Sequence, residues 1–581
     1  MEEKALPDKN KRLKKSLQEA MARHQKGQLE TADNLYDKVL RWDLNNPDAL
    51  HLKGVLAFQQ ERYHASVDLI SRAIKEDSSQ AAFYNNLGNT FNALGKYERS
   101  IACFKKAVEI DPAMADAFFN LANAYQKKGE FDKAIDHYHR AIQLKPDCAH
   151  IYNNLGITFD DKGQVDNAVN AYRMAIKLDP DCVDAYNNLC ALQEGMSQLT
   201  DALDTAKTAL KIDPSSSFAM LNLAKVYYRQ QRFEDAIALL RTLTKKQLSD
   251  TFNARVYYLH GKVCNKMERY DRAFSSFTTA NQCVFKSHAM SAYRRKNALT
   301  LKEIDEIQAF FSSARIRCWK RFDPATAKHN MVFLVGFPRS GTTLLEQILN
   351  THKRVVTLDE QPIFENVFNG FRNPSERMKQ LDQLSKAEIE YLRKSYLDKV
   401  TRKINNDESI ETIVDKLPLN ILYLGIMYRF FPDAKIIVAL RHPLGCVLSA
   451  FMQEFKINKM MFNFLTLEGC ARFYAKVMGL YLHYQSVLPM QIYQIRYEDI
   501  VDDFENEIRS LFDFLALEWQ GLVLNYHQSA KDRKISTPSY SQVVKPIYRD
   551  AIDRWKHYRT HLSPALTWVE PFIQSFGYKN E

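Results

Sequence analysis

The sequence predicts a superhelical α-helical solenoid over its first half, followed by a three-layer α/β domain built on a parallel sheet. Two observations carry this reading: a 34-residue period in the first half, and a pattern of apolar strand, tight turn and helix that occurs twice in the second. Composition agrees with a folded chain, 46% of the residues being hydrophobic and 26% charged, and 581 residues are too many for one domain. The 80 Lys plus Arg exceed the 69 Asp plus Glu by 11. That modest excess can attract phosphate, sulfate or acidic peptides, and it does not point to nucleic acid.

The period comes from three ladders in phase. Pro112, Pro146, Pro180 and Pro214 are 34 apart, as are Ala134, Ala168, Ala202 and Ala236, and so are Gly88, Ala122, Gly156, Cys190 and Ala224. Small residues recur where two helices cross closely, Tyr125, Tyr138, Phe159 and Tyr172 fill the gaps, and proline ends each second helix. This helix-turn-helix unit resembles the tetratricopeptide repeat (TPR) family over about residues 13–290. Weaker units flank the regular ones, at Gly54, Tyr63 and Ala73, and at Gly261, Tyr270, Ala273 and Phe277 after an insertion of about three residues. The expected domains are a charged tail over 1–12, seven or eight repeats over 13–290, a helical linker over 291–329 and the α/β domain over 330–581.

A fourth ladder has the same spacing. Asn86, Asn120, Asn154, Asn188 and Asn222 lie within the first helix of successive units, although asparagine is a mediocre helix former. An amide offers donors and an acceptor, so a row of them on a concave surface can bind the backbone of an extended peptide. These five are the expected peptide-binding residues; the alternatives are that they cap or bridge neighbouring repeats, or are solvated.

In the second half, Met331–Val335 reads as a buried parallel strand, Gly336–Gly341 as a turn and Thr342–Leu349 as a helix. The turn, G-F-P-R-S-G-T-T, keeps the glycine spacing of a P-loop but has Thr342 where lysine is required. Backbone N–H groups and the helix start still suit an anion. Its expected ligands are Gly336, Pro338, Arg339, Ser340, Gly341, Thr342 and Thr343. A second strand and helix follow over 434–449, with Arg441 at the turn and Ser449 eight residues beyond it.

The pair P-R-S-G-T-T and R-x(7)-S resembles the two nucleotide-binding elements of sulfotransferases. The resemblance implies a P-loop-like sulfotransferase domain, with PAPS (3′-phosphoadenosine 5′-phosphosulfate) as sulfuryl donor and its 3′-phosphate held by Arg441 and Ser449. Over about residues 330–560 the chain is most similar to the branch that includes tyrosylprotein sulfotransferases and bacterial TPR-linked sulfotransferases. By that resemblance Glu360 in L-D-E-Q-P is the catalytic glutamate, with Asp359 in place of the usual glycine, and Lys416 in D-K-L-P is the catalytic lysine. T-P-S-Y-S-Q-V-V-K-P-I-Y, with Trp555 downstream, resembles the tail that closes over the donor, which places Ser539 and Lys545 there, and Tyr497 matches a further donor-side position. Singly, Lys416 reads as a surface lysine, Glu360 as a helix-start carboxylate and Tyr497 as a core aromatic.

Sulfuryl transfer asks a protein to align nucleophile and leaving group and to stabilise charge on oxygen. In the expected mechanism Glu360 takes the acceptor proton, helped if partial burial raises its pKa, and Lys416 stabilises the departing phosphate. Arg339 and the turn hold the sulfuryl oxygens, and Ser539 supports the leaving group. Some sulfotransferases use a histidine base, which makes His352, His442 and His483 candidates, but His442 directly after Arg441 reads as a packing residue. No metal-ligand cluster such as H-E-x-x-H is present in the sequence, so no metal is expected.

The acceptor expected from the two halves together is a protein tyrosine presented by the repeat array. Two alternatives stand beside it: a carbohydrate or small-molecule sulfotransferase whose repeats recruit other proteins, and an inactive peptide-binding scaffold. Nine cysteines without a C-x-x-C pair suggest neither zinc nor a disulfide framework. The charged N-terminus lacks the apolar core of a signal peptide, and the charge-free stretch 477–495 contains tyrosine, histidine and proline, so no membrane span is expected. The expectation is a cytoplasmic protein, in the domain order of the bacterial relatives; the sequence does not indicate an oligomeric state.

Overall fold

The computed structural model describes residues 5–287, 301–319, 329–360, 363–368, 371, 378–403, 407, 409–531 and 549–579. Eight helix pairs are present among them, from Ala5–Gln25 with Leu29–Trp42 to Asp250–Lys266 with Tyr270–Ser287. The first seven form a helical repeat solenoid, and its small-residue ladder has a clear reason. A Cβ added at Gly88 would lie 2.5 Å from the Phe104 ring, and one at Gly156 would lie 2.6 Å from that of Tyr172. Where the ladder carries Cys190 instead, the corresponding residue of the second helix shrinks to Ala206, and both are buried in one cluster. Volume is conserved across the crossing, as close packing requires. The turns between repeats repeat as well: Asp77, Asp111, Asp179 and Asp213 each accept a backbone N–H two residues on, at 2.8–3.1 Å.

Three of the expected boundaries differ in the structure. The first helix begins at Ala5, so most of the 1–12 stretch is helical rather than a tail; further along the same helix Leu17 and Ala20 pack against Tyr36 and Leu56. The stretch expected as a helical linker belongs to the compact second unit. Residues 301–310 and Ser313–Cys318 are helical, Ile304, Ile307, Phe310 and Phe311 are buried, and Phe311 lies edge-on to Tyr484 with ring centroids 5.5 Å apart. Residues 291–300 and 320–328 lie outside the described residues.

The third difference concerns the repeats. The chain divides into two compact units, Met1–Leu243 and Thr244–Glu581, so the last helix pair belongs to the second unit although its sequence continues the repeat pattern. Side chains on this pair explain why. Asn281 accepts a hydrogen bond from Tyr258 and donates one at 3.0 Å to the carbonyl of Phe451. Asn265 accepts from Tyr558 at 2.6 Å, and Phe274 stacks on His561 at 4.3 Å.

The second unit contains a five-stranded parallel sheet of order β2-β3-β1-β4-β5. The strands are β1 (Asn330–Gly336), β2 (Val355–Asp359), β3 (Thr412–Lys416), β4 (Lys435–Leu440) and β5 (Gln491–Arg496). Alternation along β1 sends Val332 and Leu334 to a core with Leu345, Ile348, Leu511 and Phe512, and Phe333 to an aromatic cluster with Phe364, Tyr396 and Phe431. Helices therefore cover both faces, which suits continuously apolar parallel strands. β1 is central: the chain builds β2 and β3 on one side of it and then crosses to β4 and β5. Such a reversal opens a crevice at the carboxyl end of the central strand.

Candidate functional site

The carboxyl ends of all five strands lead into the expected site residues. Gly336 ends β1 where two chains nearly touch, since a Cβ there would lie 2.6 Å from the carbonyl oxygen of Ala439 and 2.7 Å from Ser340 Oγ. Arg339 (φ +75°) and Gly341 (φ +102°) bend the turn through the left-handed region, and the helix Thr342–Leu349 starts at once with no side chain capping it. The buried Ser340 hydroxyl has no hydrogen-bond partner in the structure. Helix-start N–H groups and an unpaired buried hydroxyl fit an anion in this turn.

The two motifs meet here. Arg339 Nε donates to Ser449 Oγ at 3.1 Å across 110 residues, and Arg441, on the turn after β4, donates to the Arg339 carbonyl at 3.3 Å and to that of Ala551. The Arg441 guanidinium lies 5.1 Å from the centroid of the Tyr497 ring, and the same ring limits Gly341, whose Cβ would come within 3.1 Å of it. Arg441 Nε is buried without a hydrogen-bond partner. Two guanidinium groups, two serine hydroxyls and an uncapped helix start make a pocket rich in hydrogen-bond donors that suits phosphate- or sulfate-like oxygens. Ser539 and Lys545, expected to complete it, lie outside the described residues.

On the other side of β1, the end of β3 carries Lys416, whose side chain is fully buried rather than on the surface. Its ammonium lies 2.7 Å from Asp359 Oδ1, 3.0 Å from Glu346 Oε2 and 3.1 Å from Glu360 Oε1. Burial alone would lower its pKa, but Glu346, Glu360 and Asp359 together outweigh burial and raise it above the usual lysine value. Glu360 continues the β2–β3 ladder by donating its N–H to the Lys416 carbonyl at 3.0 Å, and it does so at φ +43°, a left-handed conformation that costs a non-glycine residue about 1 kcal/mol or more. The bend leaves its carboxyl 40% exposed, able to meet both the lysine and a substrate.

Glu346 is the site residue that sequence reasoning missed. The one available signal was an acidic side chain in the otherwise apolar run L-L-E-Q-I-L directly after the glycine turn. It is 1% exposed, and burial pushes its carboxyl up to about 7 against the pull of Lys416.

The three histidines are engaged elsewhere. His442 stacks on Trp555 with centroids 4.2 Å apart and planes 7° apart, and burial lowers its pKa to about 4, which fits the packing role expected of it. His352 lies against the Glu518 carbonyl and the Arg354 N–H, and His483 against the Phe311 carbonyl. Among the described residues no group of three His, Cys, Asp or Glu is placed to hold a metal ion, and no helix is long and apolar enough to cross a membrane.

Four of the five ladder asparagines bridge neighbouring repeats. Asn86 Nδ2 meets His51 Nε2 at 2.8 Å, Asn120 donates to Asn85 Oδ1 at 3.0 Å, Asn188 to Asn153 Oδ1 at 3.0 Å and Asn222 to the Asn187 carbonyl at 3.0 Å. Asn154 turns back to the His150 carbonyl at 2.9 Å. Bridging, given above as an alternative, therefore occupies one donor of four of the five amides, and Asn222 is almost completely buried.

Two parts of the chain match different known families. Residues 330–521 match the sulfotransferase family, and residues 9–296 match the Cilia and flagella-associated protein 70 C-terminal domain. An uncharacterized protein of Aquifex aeolicus is 30% identical over 320 residues, covering 53% of this chain but only 40% of that protein, so the chain spans less than half the length of this relative. Protein-tyrosine sulfotransferase A of Caenorhabditis elegans is 24% identical over 255 residues, 42% of this chain and 67% of that one. Protein-tyrosine sulfotransferase 2 of Gallus gallus is 22% identical over 260 residues, 43% and 69% respectively.

Proposed function

From a chain that joins tetratricopeptide-type repeats to a sulfotransferase-family domain, we propose an enzyme that moves a sulfuryl group from PAPS to the phenol of a protein tyrosine, with the repeat array presenting the polypeptide. The observation that carries the proposal is the half-exposed Glu360 held 3.1 Å from a buried lysine at the strand ends, beside the Arg339–Ser449 pair. Bound PAPS supplies the sulfuryl group and leaves as the 3′,5′-bisphosphate. Glu360 accepts the proton of the acceptor hydroxyl at its carboxylate oxygen. Lys416 stabilises the negative charge that develops as the sulfur–oxygen bond to the donor breaks, while Arg339, Ser340 and the uncapped helix start hold the sulfuryl and 5′-phosphate oxygens. Arg441 and Ser449 hold the 3′-phosphate, and Tyr497 walls the pocket. The protein-tyrosine sulfotransferases among the relatives support tyrosine as acceptor.

The test is transfer of labelled sulfate from PAPS to a panel of tyrosine peptides and glycans. Labelled tyrosine is expected, with turnover about 10²-fold lower in Glu360→Gln and PAPS binding retained. Label on glycans alone would replace the acceptor while keeping the mechanism. Failure of the protein to bind PAPS would leave the peptide-binding scaffold.

A further inference from the structure

Lys416 has three N–H donors and three carboxylates around it, but those carboxylates are not equivalent. Asp359 and Glu360 reach it from the partly exposed end of β2, with 28% and 40% of their side chains accessible. Glu346 reaches it from the interior, on the helix that follows the anion-binding turn, with Leu344, Leu345, Ile348 and Leu349 buried on the same helix. Its other oxygen accepts a long hydrogen bond from Thr357, 3.4 Å away, and that hydroxyl is itself 2.6 Å from the Asn350 amide. A carboxyl in so apolar a place is tolerated only if it is paired or protonated, because an isolated buried charge costs several kcal/mol.

We propose that Glu346 is a positioning residue for sulfuryl transfer: its carboxylate anchors the Lys416 ammonium from the interior and so keeps Glu360 available to accept the substrate proton. The inference rests on the transfer reading above and adds to it a residue which that mechanism does not use. The charged groups facing Glu346 are Lys416 on β3 and Asp359 and Glu360 at the end of β2; Thr357 and Asn350 are its neutral neighbours. When Glu346 is ionised, the ammonium is shared among three carboxylates, and Glu360 holds less of it. When Glu346 is protonated, the ammonium falls to Asp359 and Glu360, and the Glu360 oxygen is tied up by it. Because burial lifts the Glu346 carboxyl to about 7, the exchange occurs near neutrality, and turnover rises with pH through that region.

The test compares the full chain with Glu346→Gln, Glu346→Asp and Lys416→Met. The wild type is expected to gain about tenfold in kcat from about pH 6 to about pH 8; Glu346→Gln loses this limb with the KM for PAPS changed less than about twofold, and Glu346→Asp regains part of it. A Glu346→Gln protein that keeps the wild-type profile, or loses kcat equally at every pH, overturns the proposal. Infrared titration of the buried carboxylic acid gives a readout that needs no turnover. Its band is expected to disappear in Glu346→Gln, and its midpoint to rise by about one pH unit or more in Lys416→Met, where the counter-charge is gone. A midpoint unmoved in Lys416→Met overturns the anchoring even if PAPS proves not to be the donor. An inactive wild type in which the midpoint does move refutes the transferase reading and keeps the anchor. If Glu346→Gln does not fold, Glu346→Asp and the Lys416→Met titration decide.

Discussion

Buried polar groups are handled in opposite ways by the repeat array and the α/β unit. In the array, partners come from the same or the adjacent repeat: Ser66 meets Thr90 across 24 residues, Ser100 meets the Gly88 carbonyl across 12, and Asn120 meets Asn85 across 35. In the α/β unit they come from far away, Arg339 meeting Ser449 across 110 residues and Asn281 meeting the Phe451 carbonyl across 170. A lesion in the array is therefore felt by its neighbours, as in any stack held by nearest-neighbour contacts. A lesion at the strand ends, such as loss of Lys416, removes the counter-charge of the buried Glu346. Stability is spread along the first unit and concentrated at the crevice of the second.

The sharpest way to break this contrast is at Lys416. Lys416→Met leaves Glu346 buried without a counter-charge, and should destabilise the second unit by about 3–5 kcal/mol, read by denaturant unfolding with domain-resolved probes, while the array unfolds as before. Adding Glu346→Gln should return much of that loss. If Lys416→Met alone leaves the second unit unchanged, the ion cluster is not a point of concentrated stability.

A smaller effect is expected inside the array. Gly156→Ala puts a methyl group 2.6 Å from the Tyr172 ring and should cost about 1–3 kcal/mol by overpacking, with relief when Tyr172 is shortened to Leu. Turnover on a free tyrosine peptide should hold within about twofold, since the lesion is confined to neighbouring repeats. A loss of turnover as large as the loss of array stability would show that the two units are energetically joined.

The smallest effect distinguishes the asparagines. Asn120→Ala removes a bridge to Asn85 and should cost about 1 kcal/mol, whereas Asn154→Ala removes only a bond to its own helix and should cost less. Thermal melts rank the two. If both variants lose peptide affinity equally while differing in stability, the ladder binds peptide as well as bridging repeats.

Legibility followed the same division. The period, the small-residue ladder and the proline turns were readable because each repeat packs on the next through contacts at fixed short separations, so chemistry and spacing report the same thing. The glycine turn and the strand runs were readable too, since φ of +102° at Gly341 and the apolar stretch of β1 are local demands. Local signals failed where one pattern served two environments. The last repeat, written like the others, is drawn into the second unit by Asn281 and Asn265, and nothing in the period announces that.

Residue types and their spacing thus settled the solenoid, the parallel-sheet domain and the glycine turn, because those depend on backbone geometry and on apolar periodicity within a few dozen residues. The three-dimensional fold settled the rest: that Lys416 is buried rather than on the surface, that burial lifts the Glu346 carboxyl beside it, and that each asparagine spends a donor within the array. The reason is physical. The energy of a charge or an amide depends on which groups desolvate it and which pair with it, and sheet register and helix packing bring those groups together from positions that carry no mark of one another in the chain.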